Sequence, residues 1–172
     1  MLDSKFFSQD TASVAKALVG MRLLVRRDGE VSRHQITETE GYLGEEDTAS
    51  HARFGRTKRS EIMFDSPGQL NVYLVYGIHH MLNIVTEPEG AAGAVLIRGI
   101  DGAAGPGKLT AKLGIKKEEY NSKFLGKQTG AWIEERPDDF KLSSIEATPR
   151  IGIDYANKKW LEKKLRFVLS KE

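Results

Sequence analysis

Apolar and polar positions along the chain alternate with two different periods. Val14, Leu18 and Val19 fall on one face at helical spacing, so Thr11 to Val19 reads as a short helix with Asp10 as its N-cap and Gly20 as its stop. Met21 to Arg26 and Val31 to Thr39 then read as two strands joined at Asp28-Gly29, a dipeptide that suits a tight hairpin turn. From Leu43 to Ser66 the chain is polar and rich in small residues, with helical turns expected only around Thr48 to Ala52 and Ser60 to Phe64. A stretch of that length inside a folded chain is more often functional than idle. After the Pro67-Gly68 turn, Leu70 to Tyr76, Met81 to Thr86 and Ala94 to Ile100 read as three β segments. Gly105-Pro106-Gly107 opens a helix from Lys108 to Leu113, stopped by Gly114. Ile115 to Phe140 shows no clear period, and Arg150 to Ile153 and Leu165 to Leu169 read as closing strands. The pattern predicts an α+β fold over residues 1–172: a single mixed domain with a curved, mainly antiparallel sheet and short flanking helices.

Composition narrows the chemistry. The 172 residues are 40% hydrophobic and 29% charged, ordinary values for a globular chain. They include no cysteine, which removes disulfides, iron–sulfur clusters and thiolate zinc sites. Four histidines without ligand spacing give no metal motif, and the adjacent pair His79-His80 would point to opposite faces of a strand. No apolar run reaches the roughly 20 residues of a membrane span, and no secretory signal is visible, so a cytoplasmic location is the expectation. The net charge of +2 identifies no partner by itself. Its distribution says more: Arg53, Arg56, Lys58 and Arg59 form one basic cluster, and Lys158, Lys159, Lys163, Lys164 and Arg166 another, either of which could meet phosphates.

Three stretches could carry chemistry. In Glu38-Thr39-Glu40-Gly41-Tyr42, strand alternation puts Glu38, Glu40 and Tyr42 on one face, where a carboxylate beside an aromatic ring can activate water next to a flat ligand. The same run would also serve as a solvent-facing acidic strand. In the second stretch, Tyr76 and Ile78 flank Gly77 at an expected turn, and bulky groups there are costly unless covered. They fold back onto the core or wedge between base steps of a duplex. The third, Gly102-Ala103-Ala104-Gly105-Pro106-Gly107-Lys108, matches a P-loop, but Leu109 stands where serine or threonine would hold magnesium.

Together these pieces resemble the alkyladenine (3-methyladenine) DNA glycosylase family. The resemblance runs through ITETEGYLGEEDTASHA, MFDSPGQLNVYLVYGIHHMLNIVT, VLIRGI, GPGKLTAKLGI, PRIGI and LRF, nearly the whole chain. It implies a single mixed domain with a protruding, DNA-inserting β-hairpin, and a reaction that uses no metal or organic cofactor. Glu40 would be the general base that activates water, with Arg98 beside it. Tyr42, His51 and Tyr73 would line the pocket for a flipped base, and Asn83 would sit at its floor. Tyr76, with Ile78, would fill the gap left in the duplex. The partner would be double-stranded DNA with damaged purines, which places a cytoplasmic protein at a bacterial-type nucleoid. No membrane is implied and nothing demands an oligomer, so a monomer is expected. The chain departs from the resemblance at Gly41, where alanine is more usual, at Asn71, where an aromatic is common, and at the Ile78-His79 tip. These departures bear on the substrate range, which covers 3-methyladenine, 7-methylguanine, hypoxanthine and ethenoadenine. Two rivals remain: a non-catalytic nucleic-acid-binding domain of this fold, and a P-loop nucleotide hydrolase.

Overall fold

A computed structural model describes residues 1–141 and 145–170. Helix α1 (Ser4–Phe7) precedes α2 (Thr11–Leu18), whose N-cap Asp10 accepts from the amides of Ala12 and Ser13. Strand β1 (Arg22–Arg27) turns at Asp28 and Gly29, both with positive φ, into β2 (Glu30–Tyr42). The chain then makes two 3₁₀ turns, His51–Phe54 and Glu61–Phe64. Strands β3 (Leu70–Val75), β4 (His79–Val85) and β5 (Ala94–Ile100) follow, and then the two-residue β6 (Ala103–Ala104). Beyond them lie α3 (Pro106–Leu113), α4 (Lys117–Tyr120), β7 (Ala131–Glu134), β8 (Ile145–Thr148), α5 (Lys158–Glu162) and β9 (Arg166–Leu169). No helix among the described residues is long and apolar enough to cross a membrane.

The α+β expectation holds: the strands form one curled antiparallel sheet with the main order β3-β4-β5-β2-β1-β7, β8 and β9 extending from β2. Two expected elements need correction. β2 does not end at Thr39 but runs to Tyr42, because its second half is paired on both edges, with β5 and with β9. Arg150 to Ile153 is not a strand: the strand there is Ile145–Thr148, and the Arg150 side chain is buried in an ion pair instead. The unreadable stretch from Ile115 holds α4 and β7, a helix and a strand of four residues each, too short to display a period. The remaining helix and strand expectations hold with ends moved by one to three residues; α3 starts at Pro106, for example, where proline has no amide to lose.

The two faces of the sheet have different tasks. One packs Val14, Ala15 and Leu18 of α2 against Leu23, Ile36, Leu70, Ile84 and Ile97, all essentially inaccessible to solvent. Each such aliphatic side chain contributes about 1.5–3 kcal/mol by leaving water. Thr39 and Gly41 face this core: Thr39 Oγ1 donates to the Ala15 carbonyl at 2.7 Å, and a Cβ at Gly41 would lie 3.5 Å from the Thr11 methyl. The alternate residues of β2 are thereby turned to the opposite face. That face is covered by the long segments on either side of the sheet, which add two smaller apolar clusters, one around Trp160 and Ile153 and one around Met63 and Phe64.

Candidate active site

Alternation along β2 brings Glu38, Glu40 and Tyr42 to the covered face, as the sequence pattern requires. Glu40 is fully buried. Its Oε2 accepts from the Tyr42 hydroxyl at 2.7 Å, and its Oε1 accepts from the backbone amide of Ile151 at 2.7 Å. Arg98, on the neighbouring strand β5, places Nη1 3.6 Å from Glu40 Oε2. Burial pushes the Glu40 carboxyl above the ordinary carboxylate range, against the opposing pull of Arg98, the Ile151 amide and the Tyr42 hydroxyl. The two carboxylates of this run are not equivalent. The strand register shifts on either side of Glu38, opposite Gly99, where a Cβ would come within 2.9 Å of Thr37 Oγ1. Glu38 Oε1 accepts from Arg98 Nε at 2.9 Å and from Arg166 Nε at 2.5 Å. Glu38 therefore fixes the arginine that faces Glu40.

Beyond Tyr42 lies a cavity of about 180 Å³. Tyr42, His51, Tyr73 and Asn83, the four residues assigned to a base pocket from the sequence, all line it. The His51 and Tyr73 rings lie 5.0 Å apart, inclined at 59°. His51 opens the first 3₁₀ turn, whose N-cap Ser50 Oγ accepts from the Ala52 amide. Burial, with Arg59 and Arg53 nearby, lowers the His51 pKa to about 4, so its imidazole is neutral at pH 7. Asn83 is 4% exposed and sits across the β3–β4 ladder from Asn71, and Asn71 lines the cavity too. Glu40 itself is not in the lining; it is joined to the lining through the Tyr42 hydroxyl, and Gly152, next to Ile151, whose amide donates to Glu40, reaches the cavity wall.

The same β3–β4 hairpin that supplies Tyr73 and Asn83 ends at Tyr76 and Ile78. They do not fold back onto the core: Tyr76 is 91% and Ile78 70% exposed. Tyr76 (φ 53°) and Gly77 (φ 68°) are both left-handed, a backbone that glycine accepts and tyrosine does not favour. Tyr76 lies three positions after Tyr73, a span of about 10 Å at the rise of a strand.

Sequence reading missed several residues here. Asp47 and Arg150 form an ion pair inaccessible to solvent, with Arg150 Nη1 2.6 Å from Asp47 Oδ2 and Nη2 2.9 Å from Oδ1. The Arg150 guanidinium also stacks 4.8 Å from the centre of the Tyr42 ring, on β2 beside Glu40. Nothing in the run GEEDTASHA marks Asp47 above its acidic neighbours, and Arg150 lay in a stretch that reads as a strand. Tyr155 and Arg59 line the cavity as well; the basic cluster pointed to Arg59, whereas nothing marked Tyr155. The Gly102–Lys108 loop is no phosphate cradle. Its first turn folds back as β6 on β5, the Gly105 amide donates to the Arg98 carbonyl, and His79 packs against Gly107 at the helix start.

The chain is similar to known proteins over nearly its whole length. Two segments, residues 5–103 and 101–172, match the family model described as methylpurine-DNA glycosylase. A protein of Anaeromyxobacter dehalogenans, provisionally named a 3-methyladenine DNA glycosylase, is 42% identical over 176 residues, covering 98% of this chain and 81% of its own. Proteins with the same provisional name from Chlorobaculum parvum (43% identity, 88% and 81% covered) and Ehrlichia chaffeensis (40% identity, 98% and 93% covered) are similar to it as well.

Proposed function

The chain belongs to the methylpurine-DNA glycosylase family, and from that premise we propose that it flips a damaged purine out of duplex DNA and hydrolyses the N-glycosidic bond with a water activated by Glu40. The observation that carries the reading is the joining of a buried, base-poised carboxylate to an aromatic cavity through the Tyr42 hydroxyl. Cleavage builds positive oxocarbenium character on the sugar. A carboxylate held by Ile151 and faced by Arg98 stabilises that charge while it takes the proton of water. Tyr42 and Tyr73 offer ring faces to the extruded base, and a cation on an alkylated purine gains about 0.5–2 kcal/mol from each such contact. The gain is modest, so weakened pairing of the lesion must supply part of the selectivity. No lysine lines the cavity among the described residues, which favours hydrolysis by water to a free abasic site over attack by an amine.

Extrusion costs a few kcal/mol. The exposed Tyr76 and Ile78 would fill the vacated stack, at the tip of the hairpin that also lines the cavity receiving the base. The basic cluster supports the same face: Arg59 lines the cavity, and Arg53 stacks 4.4 Å from Phe54 and 5.1 Å from Tyr155, which also lines it. Phosphates flanking the flipped nucleotide would find cations there. The test is a duplex carrying one 7-methylguanine, 3-methyladenine, hypoxanthine or ethenoadenine, scored for alkali-labile abasic sites. Excision that disappears in Glu40→Gln is the expected result. Full activity in Glu40→Gln, or lesion binding by the wild type without base release, would refute the mechanism; the second outcome would instead indicate a non-catalytic binding domain.

A further inference from the structure

We propose that Asn71 is a specificity-determining residue of this cavity, whose side-chain amide pairs with the edge of a neutral 6-oxopurine; the inference rests on the glycosylase reading above. Asn71, Tyr73 and Val75 alternate along β3 onto the cavity wall, and the ladder sets Asn71 opposite Asn83 at the end remote from the hairpin tip. The two amides differ in what they have left to offer. Asn83 Nδ2 donates to the carbonyls of Asn71 at 3.3 Å and Met81 at 3.4 Å, which leaves Asn83 Oδ1 as an acceptor. The Asn71 side chain is 5% exposed and forms no hydrogen bond with any described residue, although it has a donor and an acceptor to satisfy. A carboxamide that opens onto the cavity with no protein partner is free to pair with a ligand that offers a complementary edge.

The lactam edge of a 6-oxopurine matches that offer. Asn71 Nδ2 donates to O6, while Asn71 Oδ1 accepts from N1–H, with Asn83 Oδ1 adjoining. A freely rotating amide could also pair with a 6-aminopurine, so the choice falls to the charge around the cavity. Arg59 lines it with a guanidinium that has only donors, His51 is neutral, and Arg53 stands nearby. Donors and positive charge at this end of the cavity favour a carbonyl oxygen over a 6-amino group. An alkylated, cationic purine departs readily on its own charge. A neutral 6-oxopurine such as hypoxanthine has no such help and depends on being held by hydrogen bonds.

The experiment compares single-turnover excision of hypoxanthine and of 3-methyladenine, a cationic 6-aminopurine, from otherwise identical duplexes. In Asn71→Leu the ratio of hypoxanthine to 3-methyladenine rates should fall about 5- to 150-fold, the range for loss of one bidentate amide–base pair. In Asn71→Asp, which keeps the shape but replaces the donor with negative charge, the ratio should fall further, because the cationic base gains a partner. An unchanged ratio in both variants overturns the inference and leaves the glycosylase reading standing. So does a wild-type enzyme that releases 3-methyladenine but no hypoxanthine. A wild type that releases no lesion at all overturns both.

Discussion

Replacing Arg150 by methionine removes a cation that three parts of the structure use. Asp47 Oδ2 accepts from Arg150 at 2.6 Å and from the Leu43 amide at 3.0 Å, and Oδ1 accepts from Arg150 at 2.9 Å and from the Ala49 amide at 3.0 Å. Arg150 also donates to the Gly41 carbonyl at 3.0 Å and stacks on Tyr42. Both charged side chains are inaccessible to solvent. Leaving one partner of such a pair buried alone costs about 3–5 kcal/mol. For a chain of this size each kcal/mol lowers the melting temperature by about 2–4 °C, so thermal unfolding of Arg150→Met should move down by about 6–20 °C. Replacing both partners with apolar residues should not restore stability in full, because the Leu43 and Ala49 amides would then lose their acceptor. The site should suffer separately, since the adjoining Ile151 amide binds Glu40. Loss of one hydrogen bond to a charged group, about 1.5–3 kcal/mol, corresponds to a fall of about 10- to 150-fold in the excision rate, measured well below the melting point. A melting temperature within about 2 °C of the wild type would refute the reasoning, since it would mean that the buried carboxylate does not need its cation.

Three further outcomes follow from the same geometry. Because Arg98 lowers the proton affinity of Glu40 while burial raises it, Arg98→Met should move the acid limb of the excision pH profile upward; a limb that stays in place or moves down would refute the pairing. His51 is held near pKa 4 in the folded chain, against an ordinary 6.5, so between those values the unfolded chain binds the extra proton and stability falls as pH falls. Melting temperatures from pH 4 to 7 should therefore be less acid-sensitive in His51→Phe than in the wild type, and an equal slope would show that His51 is not the group responsible. Tyr76→Gly relieves a left-handed tyrosine worth about 1–2 kcal/mol at the expense of about 0.5–1 kcal/mol of chain entropy, so the free protein should melt no lower than the wild type. Its affinity for abasic duplex should fall at the same time, and unchanged binding would remove the wedge role.

What the sequence made legible was local. The Asp28-Gly29 turn, the alternation that sets Glu38, Glu40 and Tyr42 on one face, and the cap and stop residues around α2 and α3 each lie within a few residues of what they determine. Of the residues carried by the resemblance, Tyr42, His51, Tyr73 and Asn83 meet at one cavity, Glu40 and Arg98 adjoin it through the Tyr42 hydroxyl, and Tyr76 and Ile78 stand apart at the hairpin tip. Asp47 and Arg150 were not legible, because they are 103 positions apart and neither stands out among its neighbours. Arg150 to Ile153 reads as a strand by alternation, yet burial of Arg150 against Asp47 and the use of the Ile151 amide by Glu40 take those residues out of a ladder. Asn71 was visible only as a departure from a resemblance. Its consequence depends on the register that sets it opposite Asn83, and a sequence does not print register.

The placement of costs in this fold follows from sheet position. Glu40 lies on a strand paired with β5 on one side and β9 on the other, so its backbone cannot shift without breaking both ladders. A carboxylate that is unfavourable to bury needs such a mount, and its charge is then held by Tyr42, Ile151 and Arg98. Tyr76 lies at the opposite extreme, at the tip of a hairpin whose β3 is the edge strand of the main sheet order. There a strained backbone and an uncovered ring can be tolerated, because no core packing depends on them. Between the two, the β3–β4 ladder carries Tyr73, Asn71 and Asn83, so the cavity is joined to the rigid strand at one end and to the free tip at the other. In the proposed reaction this gives the chemical step a fixed carboxylate and gives DNA entry a group able to adjust. An exchange of the two positions would defeat both, since a tip-borne base could not be held to the geometry that catalysis requires and a core-borne wedge could not reach the duplex.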